Sequence, residues 1–397
     1  MTATVYRKHL FDIPENLIYL DGNSLGPLPR AVAERVGSVV TKQWGEKLIK
    51  GWNECQWMQQ PSDVGDRVAK LIGAPPNSVV MGDTLSIKVY QALSAALQLN
   101  PDRYVVLSDT GNFPTDLYMA QGLIDTLGSA YSLKLVEPEE VIDAIDDTVA
   151  AVLLTQVDYR TGRLHDLDAI TSKTHQAGAI SIWDLAHSAG ALPVDLTKSH
   201  CDFAVGCSYK YLNGGPGAPA FIYTRPDLIA SINPALAGWL GHDAPFAFEP
   251  NYRPAASINR MRVGTPPVLQ MSALDAALDV WDTVDMQLLR QVSMELCDYF
   301  IKEVESRCPQ LSLVSPRDAK QRGSQVSFAF EQGYAAMRAL IERGVIGDFR
   351  APNIMRFGFT PLYVDRSDVA AAVDVLEEIM AREIWKERQY QVVSAVT

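Results

Sequence analysis

Between residues 104 and 224, five short apolar runs alternate with longer polar stretches. The runs are "YVVLSD" (104–109), "VAAVLLTQV" (149–157), "AISIWDL" (179–185), "DFAVGCS" (202–208) and "PAFIYT" (219–224). Each is rich in β-branched or aromatic residues, as strands are. Helical patterns lie between several of them, such as "DLDAITSKTHQAG" (166–178), where Gly178 is a stop signal. Parallel strands need a crossover helix, and helices on both faces bury the strands completely. The alternation therefore predicts an α/β fold with a mostly parallel sheet covered by helices on both faces.

Past about residue 285 the pattern changes. "VDMQLLRQVSMELCDYFIKEVESRC" (284–308) reads as one long helix, and the strand-like runs "SQVSFAF" (324–330) and "IMRFGFT" (354–360) follow. In the closing stretch Val369, Val373, Leu376 and Met380 recur at helical spacing, with Ser367 as the expected N-cap. A chain of 397 residues exceeds what one core usually supports. The expected division is an N-terminal segment (1–49) packing with the small domain, a large domain (50–285) and a smaller C-terminal α/β domain (286–397).

The net charge of −12 argues against a nucleic-acid surface. Cys55, Cys201, Cys207, Cys297 and Cys308 are odd in number and none are spaced as a metal clip. A reduced, cytoplasmic setting fits them better than a disulfide framework. "MTATVYRKHLFDIPENLIYL" lacks the apolar core of a secretory signal, and no apolar run is long enough to span a bilayer. Neither a nucleic-acid partner nor a membrane is expected.

Four segments carry candidate chemistry. "GDTLSIKVYQALSAAL" (82–97) opens a helix whose first amides lack helical partners; these, with Thr84 and Ser86, can bind an anion, although simple capping explains the pattern too. "SDTGNFPTDLYMAQG" (108–122) follows a strand, where α/β proteins bind ligands. There Phe113 offers a flat ring and Asp116 a carboxylate, or else a loop anchor and a helix cap. In "SIWDLAHSAGALPVDL" (181–196) Asp184 ends an apolar strand, and a buried carboxylate needs a cationic partner. His187 lies three residues on. In "CSYKYLNGGPG" (207–217) a strand runs into Lys210 between two tyrosines, ahead of three glycines. A lysine held there can act as an amine nucleophile. An anion-binding helix start, an aromatic plate, a strand-end carboxylate and a strand-end lysine together match pyridoxal 5'-phosphate: its phosphate, ring, pyridinium and aldehyde.

These stretches, with "YLDGNSLGPLP", "LAGWLGH", "GTPPVLQ" and "RFGFTPLYV", resemble the kynureninases, within the aminotransferase class V group of fold-type-I pyridoxal phosphate enzymes. The matches span residues 19–364. The resemblance implies a seven-stranded-type sheet between helices in the large domain. It implies Lys210 as the Schiff-base lysine, Tyr209 and Ser86 with Leu85 at the phosphate, and Phe113 on the ring. Asp116 and Thr155 lie beside the ring, Asp184 pairs with the pyridinium, and His187 sits close by. Trp239 and Thr265 reach the phosphate of a neighbouring subunit, so a homodimer with a shared site is implied. Arg356 takes the substrate α-carboxylate. The implied catalytic residues are Lys210, Tyr209 and Asp184.

The implied reaction is hydrolysis of L-kynurenine to anthranilate and L-alanine, in tryptophan catabolism through the kynurenine pathway, which also serves NAD biosynthesis. Gly264 and Thr265 stand where animal kynureninases have Ser-Asn, and Trp52 where they have a histidine. Those positions touch the substrate's aromatic ring in the family, so L-kynurenine is expected to be preferred over its 3-hydroxy form. Two rivals fit less well. A cysteine desulfurase needs a nucleophilic cysteine on a small-domain loop, and Cys308 is the one candidate. A nucleotide loop needs GxxxxGK[ST] spacing, which "NGGPG" lacks.

Overall fold

The computed structural model describes residues 5–392; residues 1–4 and 393–397 of the two expected terminal segments lie outside the described residues. Seven strands form the main sheet: β1 (Val79–Met81), β2 (Val105–Asp109), β3 (Ser132–Val136), β4 (Val149–Thr155), β5 (Ile180–Asp184), β6 (Phe203–Gly206) and β7 (Phe221–Thr224). Their order is β1-β7-β6-β5-β4-β2-β3. Only β7 runs against the rest, pairing antiparallel with β6 and β1. All five runs read from the sequence fall on strands. All seven residues of β4 are buried, as a central strand covered on both faces requires.

On one face Val89, Ala92, Leu93 and Ala96 of the helix Leu85–Leu99 pack with Leu123 and Ile124 against Val106, Leu153 and Ile182. On the other, Val64 and Val68 join Leu167, Ile170, Trp183 and Leu274. This second core continues without a break into the C-terminal residues. There the strands β8 (Ser312–Leu313), β9 (Gln325–Ala329), β10 (Asp348–Arg350) and β11 (Ile354–Gly358) form an antiparallel sheet ordered β10-β11-β9-β8. The helices Met286–Arg307 and Gly333–Glu342 pack on it, and the helix Arg366–Ala381 packs on both of them. The last helix starts earlier than its expected Ser367 cap. Asp365 accepts the Ser367 and Asp368 amides, while Asp368 returns to the Asp365 N–H, a reciprocal cap that Ser367 cannot supply.

The N-terminal segment attaches at two places, one of them a separate two-stranded sheet. Ile18–Tyr19 pairs in parallel with Val345–Ile346, and Lys8 lies 3.1 Å from Asp368. The helix Arg30–Ser38 instead sets Val32 against Ala276 and Ala277, with Arg35 2.7 Å from Asp275. Between these two attachments, the loop at residues 21–29 crosses the lysine segment. Gly26 donates to the Tyr209 carbonyl at 2.8 Å, and a Cβ there would meet the Lys210 carbonyl at 2.3 Å. Only glycine fits. No helix of the described residues is long and apolar enough to cross a membrane.

Candidate active site

Asp184 closes β5, Thr155 closes β4 directly beside it, and Lys210 follows β6 by four residues. The segment before the helix Leu85–Leu99 leaves β1 at the same sheet edge, because β1 and β6 both run against β7. Parallel topology therefore delivers these groups to one edge.

The floor of the site holds two buried carboxyl groups. Asp184 Oδ1 accepts the Ala186 amide at 2.8 Å. Thr155 Oγ1 is 3.4 Å from Asp184 Oδ2 but gives its one proton to Asn112 Oδ1 at 2.5 Å. Asp184 Oδ2 thus lacks a strong donor. Asp116, 1% exposed, has no hydrogen-bond partner for either oxygen among the described residues. It is therefore not a helix cap. Burial, then the Asp184 charge, raises its carboxyl well above the ordinary range; burial also raises Asp184, against the opposing charge of Lys210. The Asp184 carboxylate, buried with one oxygen short of a donor, calls for a cationic N–H, while burial and the Asp184 charge favour the neutral form of Asp116 beside it.

Lys210 Nζ lies 5.9 Å from the Phe113 ring centroid and 5.7 Å from that of Tyr209. Phe113 stacks edge-on against Tyr159, with centroids 5.1 Å apart. His187 Nε2 is 3.2 Å from both Lys210 Nζ and the Asn23 carbonyl. Burial, then the Lys210 and Arg356 charges, pushes the His187 ring well below its ordinary pKa. A neutral ring has one N–H, so Nε2 serves either the lysine or the carbonyl, not both. At the helix Leu85–Leu99, Thr84 occupies the N-cap position but makes no capping bond through its side chain. That removes simple capping as the reason for its hydroxyl and leaves it, Ser86 and the first helical amides free for an anion. The orphaned carboxylates, aromatic plate, lysine and helix end fit pyridoxal phosphate group by group.

Two of the three glycines after Lys210 sit in a turn. Gly215 and Gly217 have φ of +85° and +76° with open space around them, so the turn demands them.

Arg356, in β11, is 1% exposed. It donates to the Tyr159 carbonyl at 2.6 Å and to Ser24 Oγ at 3.0 Å, and pairs with Asp348. Ser24 is next to Asn23, so Arg356, His187 and Lys210 form one connected series.

Four expected site residues stand apart. Trp239 is 42% exposed, and Gly264 and Thr265 are exposed. Trp52 and Thr265 line a cleft of about 470 Å³ with Trp44, Leu48 and Ile49. Among the described residues, no hydrogen bond, ion pair or ring contact joins any of the four to Lys210. Asn112, Ser24, Asn23 and Asp348 are site neighbours that sequence reasoning missed. The sequence signal for the first three lies in "SDTGNFPTDLYMAQG" and "YLDGNSLGPLP", which contain them.

Comparison with known proteins separates fold from family. The cysteine desulfurase of Thermococcus onnurineus NA1 superposes with a TM-score of 0.80 at 18% identity, covering 94% of this chain and 97% of that one. The cysteine desulfurase CsdA of Escherichia coli gives 0.77 at 20%, covering 95% and 98%. At that identity the likeness shows the fold alone. A family profile described as the kynureninase C-terminal domain matches residues 289–376. A kynureninase of Pseudomonas fluorescens is 49% identical over 394 residues, 98% of this chain and 95% of that one. One of Burkholderia mallei is 48% identical with the same coverage. The chain belongs to the kynureninase family. Cys308 agrees with placement among kynureninases rather than desulfurases: it is fully buried at the end of the helix Met286–Arg307, and burial pushes its thiol up to about 11. Such a thiol is not a nucleophile.

Proposed function

We propose that this chain hydrolyses the Cβ–Cγ bond of L-kynurenine, giving anthranilate and L-alanine, with pyridoxal 5'-phosphate as cofactor. One observation carries the reading. In a chain 49% identical to a kynureninase, the Lys210 charge acts on two buried carboxyl groups, Asp184 and Asp116, and Asp116 has no hydrogen-bond partner among the described residues. Lys210 would hold the cofactor aldehyde, with Phe113 over the ring. Asp184 would take the pyridinium N–H, with Asp116 and Thr155 beside it. Ser86, Tyr209 and the Leu85 amide would hold the phosphate. The cofactor, when bound, supplies an electron sink for charge developing on the substrate.

The chain's own groups do the rest. The Lys210 amine, displaced by the substrate amine, removes the α-proton. Asp184 keeps its partner nitrogen protonated. Neutral His187 accepts a hydrogen bond from the lysine without competing for charge. Water adds to the γ-carbonyl, and the Cβ–Cγ bond breaks to release anthranilate. Tyr209, or a water it orients, returns a proton to the β-carbon and alanine leaves. Arg356 clamps the α-carboxylate through its planar fork.

The enzyme works as a homodimer in which Trp239 and Thr265 reach the partner's cofactor phosphate, and Trp52, Gly264 and Thr265 meet the substrate ring. The exposed Trp44, Leu48 and Ile49 support that arrangement. The working division of the chain is 1–49, 50–285 and 286–397. The setting is cytoplasmic, in tryptophan catabolism and the supply of NAD precursors. The test is the purified protein itself. A visible absorption band that shifts on adding L-kynurenine, with fluorescent anthranilate released one-for-one with alanine, is expected. A colourless protein that gains no activity with added pyridoxal phosphate overturns the reading.

A further inference from the structure

We infer that Asp348 is a positioning residue that presents Arg356 to the substrate α-carboxylate. The inference rests on reading Arg356 as the carboxylate clamp and deepens it. Asp348 in β10 stands directly opposite Arg356 in β11, so the strand register fixes the pair. Asp348 is 3% exposed. Its Oδ2 alone collects three donors: Ser24 Oγ at 2.5 Å, Arg350 Nη2 at 2.9 Å, and Arg356 Nη2. Its Oδ1 has no partner among the described residues.

The guanidinium of Arg356 is held on two sides. Nη2 meets Asp348 and Ser24, and Nη1 meets the Tyr159 carbonyl. Nε has no partner. A side chain with four rotatable bonds is thereby fixed before the substrate arrives, so less order has to be gained on binding. The charges point the same way. Arg350 and Arg356 flank the single carboxylate of Asp348. The nearby Asp21 carboxyl is pushed up to about 7 by burial and by Asp348, so near neutrality it is only partly ionised and offsets only part of that charge. The cluster keeps a net positive charge, which a substrate carboxylate complements. Without Asp348 the two guanidiniums would face each other at the site.

The test uses the holoenzyme with Asp348→Asn, Asp348→Ala and Arg356→Lys. Asparagine can place its carbonyl where Oδ2 sits and keeps the side-chain shape, which guards against misfolding. The readouts are kcat and KM for L-kynurenine, the inhibition constant of its α-carboxamide, and the visible spectrum. For Asp348→Asn, KM is expected to rise roughly 10-fold, with Asp348→Ala rising further, because a charge-assisted contact is lost. The turnover number, the carboxamide's affinity and the spectrum should stay within about two-fold, since none of them uses the carboxylate clamp. Equal losses for acid and amide would overturn the inference in favour of a structural role. A fall in KM would overturn it by showing that Asp348 competes with substrate. If Arg356→Lys leaves the acid's advantage over the amide intact, the clamp reading itself fails. If Arg356→Lys removes that advantage and Asp348→Asn keeps it, the clamp stands and Asp348 has no part.

Discussion

The carboxyl edge of the main sheet and the exposed rim around Trp239 are both expected to touch the cofactor, yet they are built in opposite ways. At the sheet edge Asp184, Asp116 and Thr155 are at most 3% exposed, and strand register fixes Thr155 beside Asp184. At the rim Trp239, Trp44, Leu48 and Ile49 are 42–77% exposed, and Phe246 and Phe248 are 64% and 78% exposed. The edge is over-determined by the fold; its groups lack a ligand, not a neighbour. The rim is under-determined; Trp239, Phe246 and Phe248 touch edge to face, yet its large apolar side chains stay largely uncovered. A single chain thus holds a buried, tightly registered polar cluster and an exposed apolar wall. The difference separates substitutions that stop chemistry from those that act through assembly or substrate choice.

The edge should break most severely. Lys210→Ala removes the amine proposed to hold the cofactor and move the α-proton. Loss of the visible band and a fall in turnover on the order of 10³-fold or more are expected. A yellow, active variant would reassign the lysine. Asp184→Asn keeps shape but removes the charge facing the pyridinium. The rate should fall roughly 10²-fold with the cofactor still bound. An unchanged rate would mean that another group, Asp116 being nearest in role, pairs with the nitrogen.

That edge was also the part most legible from sequence. Asp184 and Lys210 stand out because each ends an apolar strand, where a charged residue is costly unless it is used. Two strands escaped the same reading. Val79–Met81 is three residues long, too short for a period. Ser132–Val136 is an edge strand whose "SLKLV" is only half-buried, so its apolar signal is diluted. Asn112, Ser24 and Asp348 escaped for another reason. They are common polar residues in positions with no periodic signature, and their roles exist only through contacts 43, 332 and 8 residues away in the chain. The rim residues were legible only through family resemblance, since nothing in one protomer fixes them.

The rim should break through assembly. Ile49, 77% exposed among Trp44, Leu48 and Trp52, has no covering group among the described residues. Ile49→Asp places a charge on that apolar face. Self-association roughly 30-fold weaker is expected, the size of a central interface contact. Activity should fall at low protein concentration and recover at high concentration, because the sheet edge is untouched. Sedimentation against protein concentration measures the first, and dilution assays the second. An unchanged dimer would place the interface elsewhere.

The smallest effect sharpens the contrast, because it concerns choice between substrates and leaves the reaction itself alone. Gly264 has nothing within 4 Å of where a Cβ would stand, so the position offers space and no donor. Trp52 turns an indole, packed edge-on against Trp57 with centroids 5.4 Å apart, toward the same cleft that Thr265 lines. A ring hydroxyl pressed against that indole would lose water and find no partner, a cost of roughly 1–3 kcal/mol. That corresponds to about a 5- to 150-fold preference for L-kynurenine over 3-hydroxy-L-kynurenine in kcat/KM. Trp52→His with Gly264→Ser and Thr265→Asn supplies donors and acceptors at the three positions. The preference should narrow by roughly 10-fold, the worth of one regained hydrogen bond. The turnover of L-kynurenine itself should change little, since Lys210 and Asp184 are untouched. Steady-state kinetics on both substrates decide it. Equal kcat/KM values in the unmodified enzyme would remove these rim positions from substrate choice. A narrowed preference with an intact dimer would show that the rim selects the ring while the sheet edge cleaves the chain.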